Sequence, residues 1–176
     1  EAAARPAAAA VLREFDRLHR RYHAWQPSEL SGLNQALAAG RTASVTPEMA
    51  GLLAHAQRFS LLSEGLFDPG IGALIALWGF QSDDLPASLP DADTLAAWRA
   101  APAGVVNLQL DELQVSSRNT RLALDFGGYL KGVALDRAAS ILKAQGVHNA
   151  LVNIGGNVLA LGSKNGERWR VGIQHP

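Results

Sequence analysis

The chain contains no cysteine, which excludes disulfide bonds, thiolate metal sites and cysteine nucleophiles together. The compartment stays open, because a chain without thiols serves equally in cytosol or periplasm. No excess of one charge is present either: sixteen basic residues balance sixteen acidic ones, giving zero formal net charge and a pI near 7.3. Such a balance offers no overall field for nucleic acid or an anionic membrane. Long apolar runs are also missing. The best candidate, Pro69 to Ser82, is broken by Gly70, Gly72 and Gly79 and falls short of the roughly 18 residues that span a bilayer. The start does not read as a secretory signal, since Glu1 replaces the usual basic residue and Arg5-Pro6 interrupts the alanine-rich stretch.

What is present points to a soluble globular chain. Hydrophobic residues make up 48% and charged residues 18%, so disorder is excluded as the general state. A length of 176 residues suits one domain or two small lobes and is too short for two independent cores.

Two rhythms divide the chain, a mainly helical part over 1–104 and a β-rich part over 105–176. Val11, Phe15, Leu18 and Tyr22 recur at helical spacing, predicting a helix from Pro6 to about Trp25. Ser28 caps a short helix closed by Gly40, and Thr46-Pro47-Glu48 opens one stopped by Gly65. Asp68-Pro69 reads as the cap of a two-turn helix ending at Trp78-Gly79-Phe80, and Asp91 to Arg99 as a short helix within a proline-rich connection. After Val105 the period becomes two. Strands are predicted around Leu108, Val115 and Leu122–Leu124, with turns at Asp111-Glu112 and Arg118-Asn119. A helix from Tyr129 to Gln145 follows, then two strands around Gly155-Gly156 and a last strand, Arg168 to Ile173. The fold class is α+β, an antiparallel or mixed sheet with flanking helices on one side.

Chemistry concentrates at Leu124-Asp125-Phe126-Gly127-Gly128-Tyr129-Leu130-Lys131-Gly132. A strand ending in a carboxylate meets a glycine pair and then a helix. Free N–H groups at a helix start favour anions, and glycines let a phosphate approach the backbone. Lys131 in the first helical turn opposes the macrodipole, a conflict that an anionic ligand relieves. The same spacing also fits a tight turn in which Asp125 pairs with Lys131. Asp68 reads as an N-cap or as a carboxylate for ribose hydroxyls or a flavin edge, and Asn153 to Asn157 as a hairpin turn or a cleft lining. His19 and His23 have metal-ligand spacing, but Arg17, Arg20 and Arg21 surround them, which favours a solvated helix face. His55, His148 and His175 are isolated, and no serine stands in a nucleophile elbow. Trp78, Trp98 and Trp169 read as core or lobe-interface residues, whereas Trp25 stands in a turn and could stack on a planar ligand.

These residues resemble a known family. Asp125-Phe126-Gly127-Gly128-Tyr129-Leu130-Lys131-Gly132-Val133-Ala134-Leu135-Asp136 is similar to the D-L-G-G-I-A-K-G-Y-A-V-D signature of ApbE-type FAD:protein FMN transferases. Ser28 to Asn34 resembles S-E-L-S-x-L-N, and Gly65 to Phe80 resembles G-A-F-D-P-T-x-G-P-L-x-x-L-W-G-F. Leu151 to Asn157 resembles L-V-N-L-G-G-D, and Trp169 to Ile173 resembles W-R-V-G-I.

The resemblance implies a T-fold-like ApbE domain that moves FMN from FAD to a threonine hydroxyl of a target flavoprotein. This flavinylation uses Mg²⁺ and releases AMP. It assigns FAD contacts to Trp25, Leu66, Phe67, Asp68, Asp125 and Lys131, and a metal-binding backbone carbonyl to Gly128. It implies a periplasmic or inner-membrane-anchored protein facing the periplasm, with the target flavoprotein as partner and neither nucleic acid nor a membrane span. The pattern is departed from at Gly70 for threonine, Ala73 for proline, Leu130 for alanine and Asn157 for an acid. The family's opening M-G-T strand and its later histidine and A-D-A-x-x-T segments have no counterpart here, so residues 1–176 are expected to form one incomplete domain whose catalytic base lies outside it. Other readings are a non-catalytic flavin-binding or scaffold protein of the same fold, and a Mg²⁺-dependent FAD pyrophosphatase.

Overall fold

Capping chemistry sets most of the helix boundaries. The computed structural model describes residues 4–81 and 89–173; the connection over 82–88 and the end holding His175 lie outside the described residues. Helix α1, Ala4–Arg21, carries Pro6 in its first turn and buries Ala7, Val11 and Leu18. It stops before Trp25 because His23 captures the chain: Nδ1 accepts from Trp25 and Gln26 N–H, and the Ser28 hydroxyl donates to its carbonyl. Ser28 and Ser31 then form a reciprocal capping box that starts α2, Glu29–Ala38. Gly40, at φ +65°, closes it. Thr46 accepts from Met49 N–H at 3.3 Å and Pro47 takes the first position of α3, Pro47–Leu62, as expected.

Asp68 departs from expectation. Helix α4, Gly72–Leu77, starts later and has no side-chain cap, and the Asp68 carboxylate is used elsewhere. Helix α5, Ala92–Ala100, is capped by Asp91, and a 3₁₀ turn over Val105–Asn107 leads into the strands. Helix α6, Tyr129–Ala144, ends at Gly146 with φ +74°.

The single sheet expected from the alternation is two small antiparallel ones. Strands β1 (Ala43–Ser44), β2 (Leu108–Asp111) and β3 (Gln114–Ser117) assemble in the order β1-β3-β2. The β2–β3 turn falls on Glu112-Leu113, one residue beyond its predicted place, with Glu112 at φ +50°. Two-residue β1 is too short for any period to reveal. Strands β4 (Ala150–Ile154) and β5 (Asn157–Leu161) form a hairpin whose two turn residues, Gly155 and Gly156, both have positive φ, the two-residue geometry that matches strand twist. Leu122–Leu124 is extended but joins no ladder, touching Ile71 through one isolated bridge at Ala123. Arg168–Ile173 is not a strand. A strand needs a neighbour for its backbone groups, and among the described residues none pairs with it.

Two compact units result, Glu1–Arg20 with Gly128–Pro176, and Arg21–Gly127. In the first, Ala7 and Val11 of α1 pack with Ala138 and Leu142 of α6, joined by Phe15, Val152 and Leu159. The core of the second includes Leu30, Leu33, Leu37, Met49, Leu53, Val105, Val115, Leu122, Leu124 and Phe126. The tryptophans do not behave as core residues. Trp78, Trp98 and Trp169 are half-buried and Trp25 is exposed.

Candidate functional site

In the second unit the residues before Asp125 are held on both sides. Gly72 N–H donates to the Ala123 carbonyl and Asp125 N–H to the Pro69 carbonyl, each at 2.8 Å. On the other side the Asn34 carboxamide donates to the Leu124 carbonyl at 2.9 Å and accepts from Leu124 N–H at 2.8 Å. Leu124 is buried, so unpaired backbone groups here would be costly, and the Asn34 carboxamide satisfies both without a ladder. The segment carries Asp125 to its exit, where Oδ1 accepts from Gly127 N–H at 2.7 Å.

The Asp68-Pro69 loop therefore lies directly against the Asp125 segment, so the structure brings those two predicted regions together. Asp68 Oδ1 accepts from Gly70 N–H at 2.7 Å and from Val105 N–H at 2.8 Å. Gly70 is pressed onto the same backbone: a Cβ there would lie 2.5 Å from Val105 N and 2.7 Å from the Gly104 carbonyl carbon. The glycine standing in place of the family's threonine is thus a packing requirement.

Leu66 is 95% exposed and Phe67 stands edge-on to Phe59, with ring centroids 6.0 Å apart. Trp25 is 47% exposed and meets the His23 ring edge-on at 4.9 Å. Phe126 is buried, its ring 6.3 Å from that of Tyr22.

In the first unit, Gly128 caps α6 with φ −75° and ψ −46°, a conformation open to any residue. A Cβ at Gly128 would meet nothing within 4 Å. Neither fold geometry nor internal packing asks for glycine there. Lys131, half-buried in the first turn of α6, has no hydrogen bond or ion pair among the described residues of its unit, and its ammonium lies beside the β4–β5 turn, 3.4 Å from where a Gly155 Cβ would be. Asn153 Oδ1 accepts from Gly156 N–H and stiffens that turn. Burial pushes the neighbouring Tyr129 phenol up to about 12, so it stays protonated at neutral pH.

Net neutrality conceals an uneven distribution. The unit containing Lys131 has ten basic and five acidic residues, and the other has six and eleven. In the second unit Glu29 is a structural hub. Burial opposes its charge, but bonds from the Thr46 hydroxyl, the Arg21 guanidinium and Thr46 N–H hold its carboxyl below the usual range. Burial and the Glu48 carboxylate raise the Tyr22 phenol. Two surface grooves, about 530 Å³ beside Arg118 and Arg121 and about 340 Å³ beside Trp169, are lined by none of the candidate residues.

The described residues do not make a metal cage. No group of three His, Asp or Glu could hold an ion, and the Gly128 carbonyl, at an N-cap, already faces the first bond of its helix. A hard cation takes six or more oxygens, and the described carboxylates form no cluster that would supply them.

Asn34 was not singled out by sequence reasoning, though a signal existed: asparagine inside a helix is unfavourable and prompts the question of what it bonds. The pairing of Gly70 with Gly104 left no such sign.

Comparison with known proteins bears on the family and the fold. The ApbE family matches residues 1–176. An FAD:protein FMN transferase of Rhodobacter capsulatus is 40% identical over the whole chain, which covers 34% of that protein, and one of Vibrio cholerae is 33% identical over 85% of the chain and 44% of its own length. Among solved structures, the ApbE protein of Thermotoga maritima superposes with a TM-score of 0.84 at 28% identity, covering 93% of this chain and 53% of that one. The flavin transferase ApbE of Vibrio cholerae gives the same score and identity, over 98% and 56%. The chain thus spans between a third and three-fifths of these relatives. With the profile matched from end to end and the helices and paired strands superposing on solved relatives, the chain belongs to the ApbE family.

Proposed function

We propose that the protein carrying this chain transfers the FMN part of FAD to a threonine hydroxyl of a target flavoprotein, with Mg²⁺ present and AMP released. The observation that carries this reading is the start of α6, where a glycine that the fold does not require stands three residues before an ammonium with no hydrogen bond or ion pair among the described residues of its unit. Close backbone approach and a free cation are what a pyrophosphate needs. The basic excess of the same unit draws a polyanion to that side.

In this reading the threonine oxygen forms a bond to the phosphorus of the FMN phosphate, and the bond from that phosphorus to the bridging oxygen breaks. AMP leaves with the electron pair, and the hydroxyl proton passes to a base that the family resemblance locates outside residues 1–176. Lys131 neutralises phosphate charge, Asp125 and Asp68 orient hydroxyl or ring N–H groups of the flavin nucleotide, and exposed Trp25 and Leu66 with half-buried Phe67 offer apolar contact to its rings. Magnesium would supply charge neutralisation on the phosphates when bound. The Gly128 carbonyl is the group of this chain that the family resemblance assigns to the metal. A periplasmic location is proposed from the family resemblance; among the described residues no helix is long and apolar enough to cross a membrane.

The test is incubation of the protein with FAD, Mg²⁺ and a threonine-bearing acceptor. Flavin fluorescence that stays on the acceptor through denaturation is expected. AMP release without acceptor labelling would replace the reading with pyrophosphatase activity, and binding without either product would replace it with a flavin-binding role.

A further inference from the structure

The Leu124 backbone is satisfied by a side chain, not by a strand. Asn34, 90 positions earlier and on α2, presents to it a donor at 2.9 Å and an acceptor at 2.8 Å, as a neighbouring peptide group would. Only asparagine offers both groups at this reach. A glutamine is one methylene longer, and an ionised aspartate would face the Leu124 carbonyl with like charge. Leu124 is fully buried, and the next residue, Asp125, leaves the clamp with Oδ1 on Gly127 N–H. The opposite edge is held by the bonds from Gly72 N–H to the Ala123 carbonyl and from Asp125 N–H to the Pro69 carbonyl, so the carboxylate's position depends on both edges.

We propose that Asn34 is a positioning residue that sets the Asp125 carboxylate for the flavin nucleotide; this rests on the function proposed above. Its action runs through Asp125, so the effects of the two residues on binding should merge.

A double-mutant cycle on the protein carrying this chain tests it, with FAD affinity read by flavin fluorescence quenching on variants shown to be folded by circular dichroism. Asn34→Ala is expected to weaken FAD roughly tenfold when Asp125 is present and less than about twofold in the Asp125→Ala background. Equal losses in both backgrounds overturn the inference, because a merely structural role loosens both alike. An Asp125→Ala protein with unchanged affinity refutes the underlying site assignment instead. If Asn34→Ala does not fold, Asn34→Asp keeps volume and acceptor while losing the donor, and it serves the same cycle. Leu124 amide exchange should quicken in Asn34→Ala, and undiminished protection also overturns the proposal.

Discussion

Replacing Gly70 by threonine, the residue of the family pattern, should damage this protein. A Cβ at this position would lie 2.5 Å from Val105 N, 2.7 Å from the Gly104 carbonyl carbon and 2.8 Å from Gly104 Cα, all backbone atoms that cannot rotate away. Relief requires the 68–72 loop to lift from the 104–105 segment, and this breaks the bond from Val105 N–H to Asp68 Oδ1. Overpacking costs about 1–3 kcal/mol and loss of a hydrogen bond to a charged group about 1.5–3, so the combined loss is about 2.5–6 kcal/mol. That is a large part of the roughly 5–15 kcal/mol available to a typical domain. Urea denaturation of Gly70→Thr and Gly70→Ala, followed by circular dichroism, gives the value directly. Gly104→Ala should behave in the same direction, because its Cβ would collide with the Asp68 carboxylate. A Gly70→Thr loss below about 1 kcal/mol would refute the claim that packing, not ligand chemistry, selects glycine here.

The other glycine sites and the Glu29 hub give contrasting expectations. Gly128→Ala has open space and ordinary backbone angles, so stability should move by less than about 1 kcal/mol while FAD affinity falls; Lys131→Ala should weaken FAD roughly tenfold, and unchanged affinity for both by fluorescence titration would remove the phosphate contact. Gly156→Ala forces a side chain to φ +92° and should cost the β4–β5 hairpin about 1 kcal/mol or more in thermal unfolding, whereas equal stability would show the turn to be unconstrained. Glu29, whose folded carboxyl is held below its usual value, contributes stability that is complete above about pH 4.5 and is lost as pH falls through the lower, folded value. Glu29→Gln should therefore be less stable at pH 7 but approach the parent at pH 3, and a pH-independent difference would show that the carboxylate's charge is irrelevant.

Local chemistry made most of the helices readable. Ser28, Thr46, Asp91, Gly40, Gly65 and Gly146 mark boundaries that caps and positive φ enforce within a few residues. Failures came where a distant partner decided. Asp68 has the sequence signature of an N-cap, yet Val105, 37 positions away, takes its carboxylate. Leu122–Leu124 alternates as a strand should and is extended, but its neighbours are one loop and one side chain, neither of which carries a strand pattern. Arg168–Ile173 alternates equally well without a partner among the described residues, and periodicity records only the face a residue would bury, not whether another strand is there. The candidate site divides similarly. The residue types at Asp125, Gly128 and Lys131 were legible from spacing, while the backbone docking of the Asp68 loop against Asp125 was not.

Where each motif's polar groups are spent separates scaffold from site. In the stretch from Ser28 to Asn34 the serines cap a helix, Glu29 holds Thr46 and Arg21, and Asn34 holds Leu124, so its hydrogen-bonding capacity is directed inward. Its direct contacts serve the fold, and only Asn34 reaches toward the proposed flavin site, through Leu124 to Asp125. The start of α6 is the opposite case, with a glycine free of steric demand and a lysine whose ammonium has no hydrogen bond or ion pair among the described residues of its unit. Asp68 lies between, one oxygen holding two backbone N–H groups while Oδ2 has no hydrogen bond among the described residues. The functional claim should therefore be tested at Gly128 and Lys131, where substitution can change binding while leaving the fold intact. A loss of activity at Glu29 or Asn34 without a binding cycle would report folding as readily as flavin recognition.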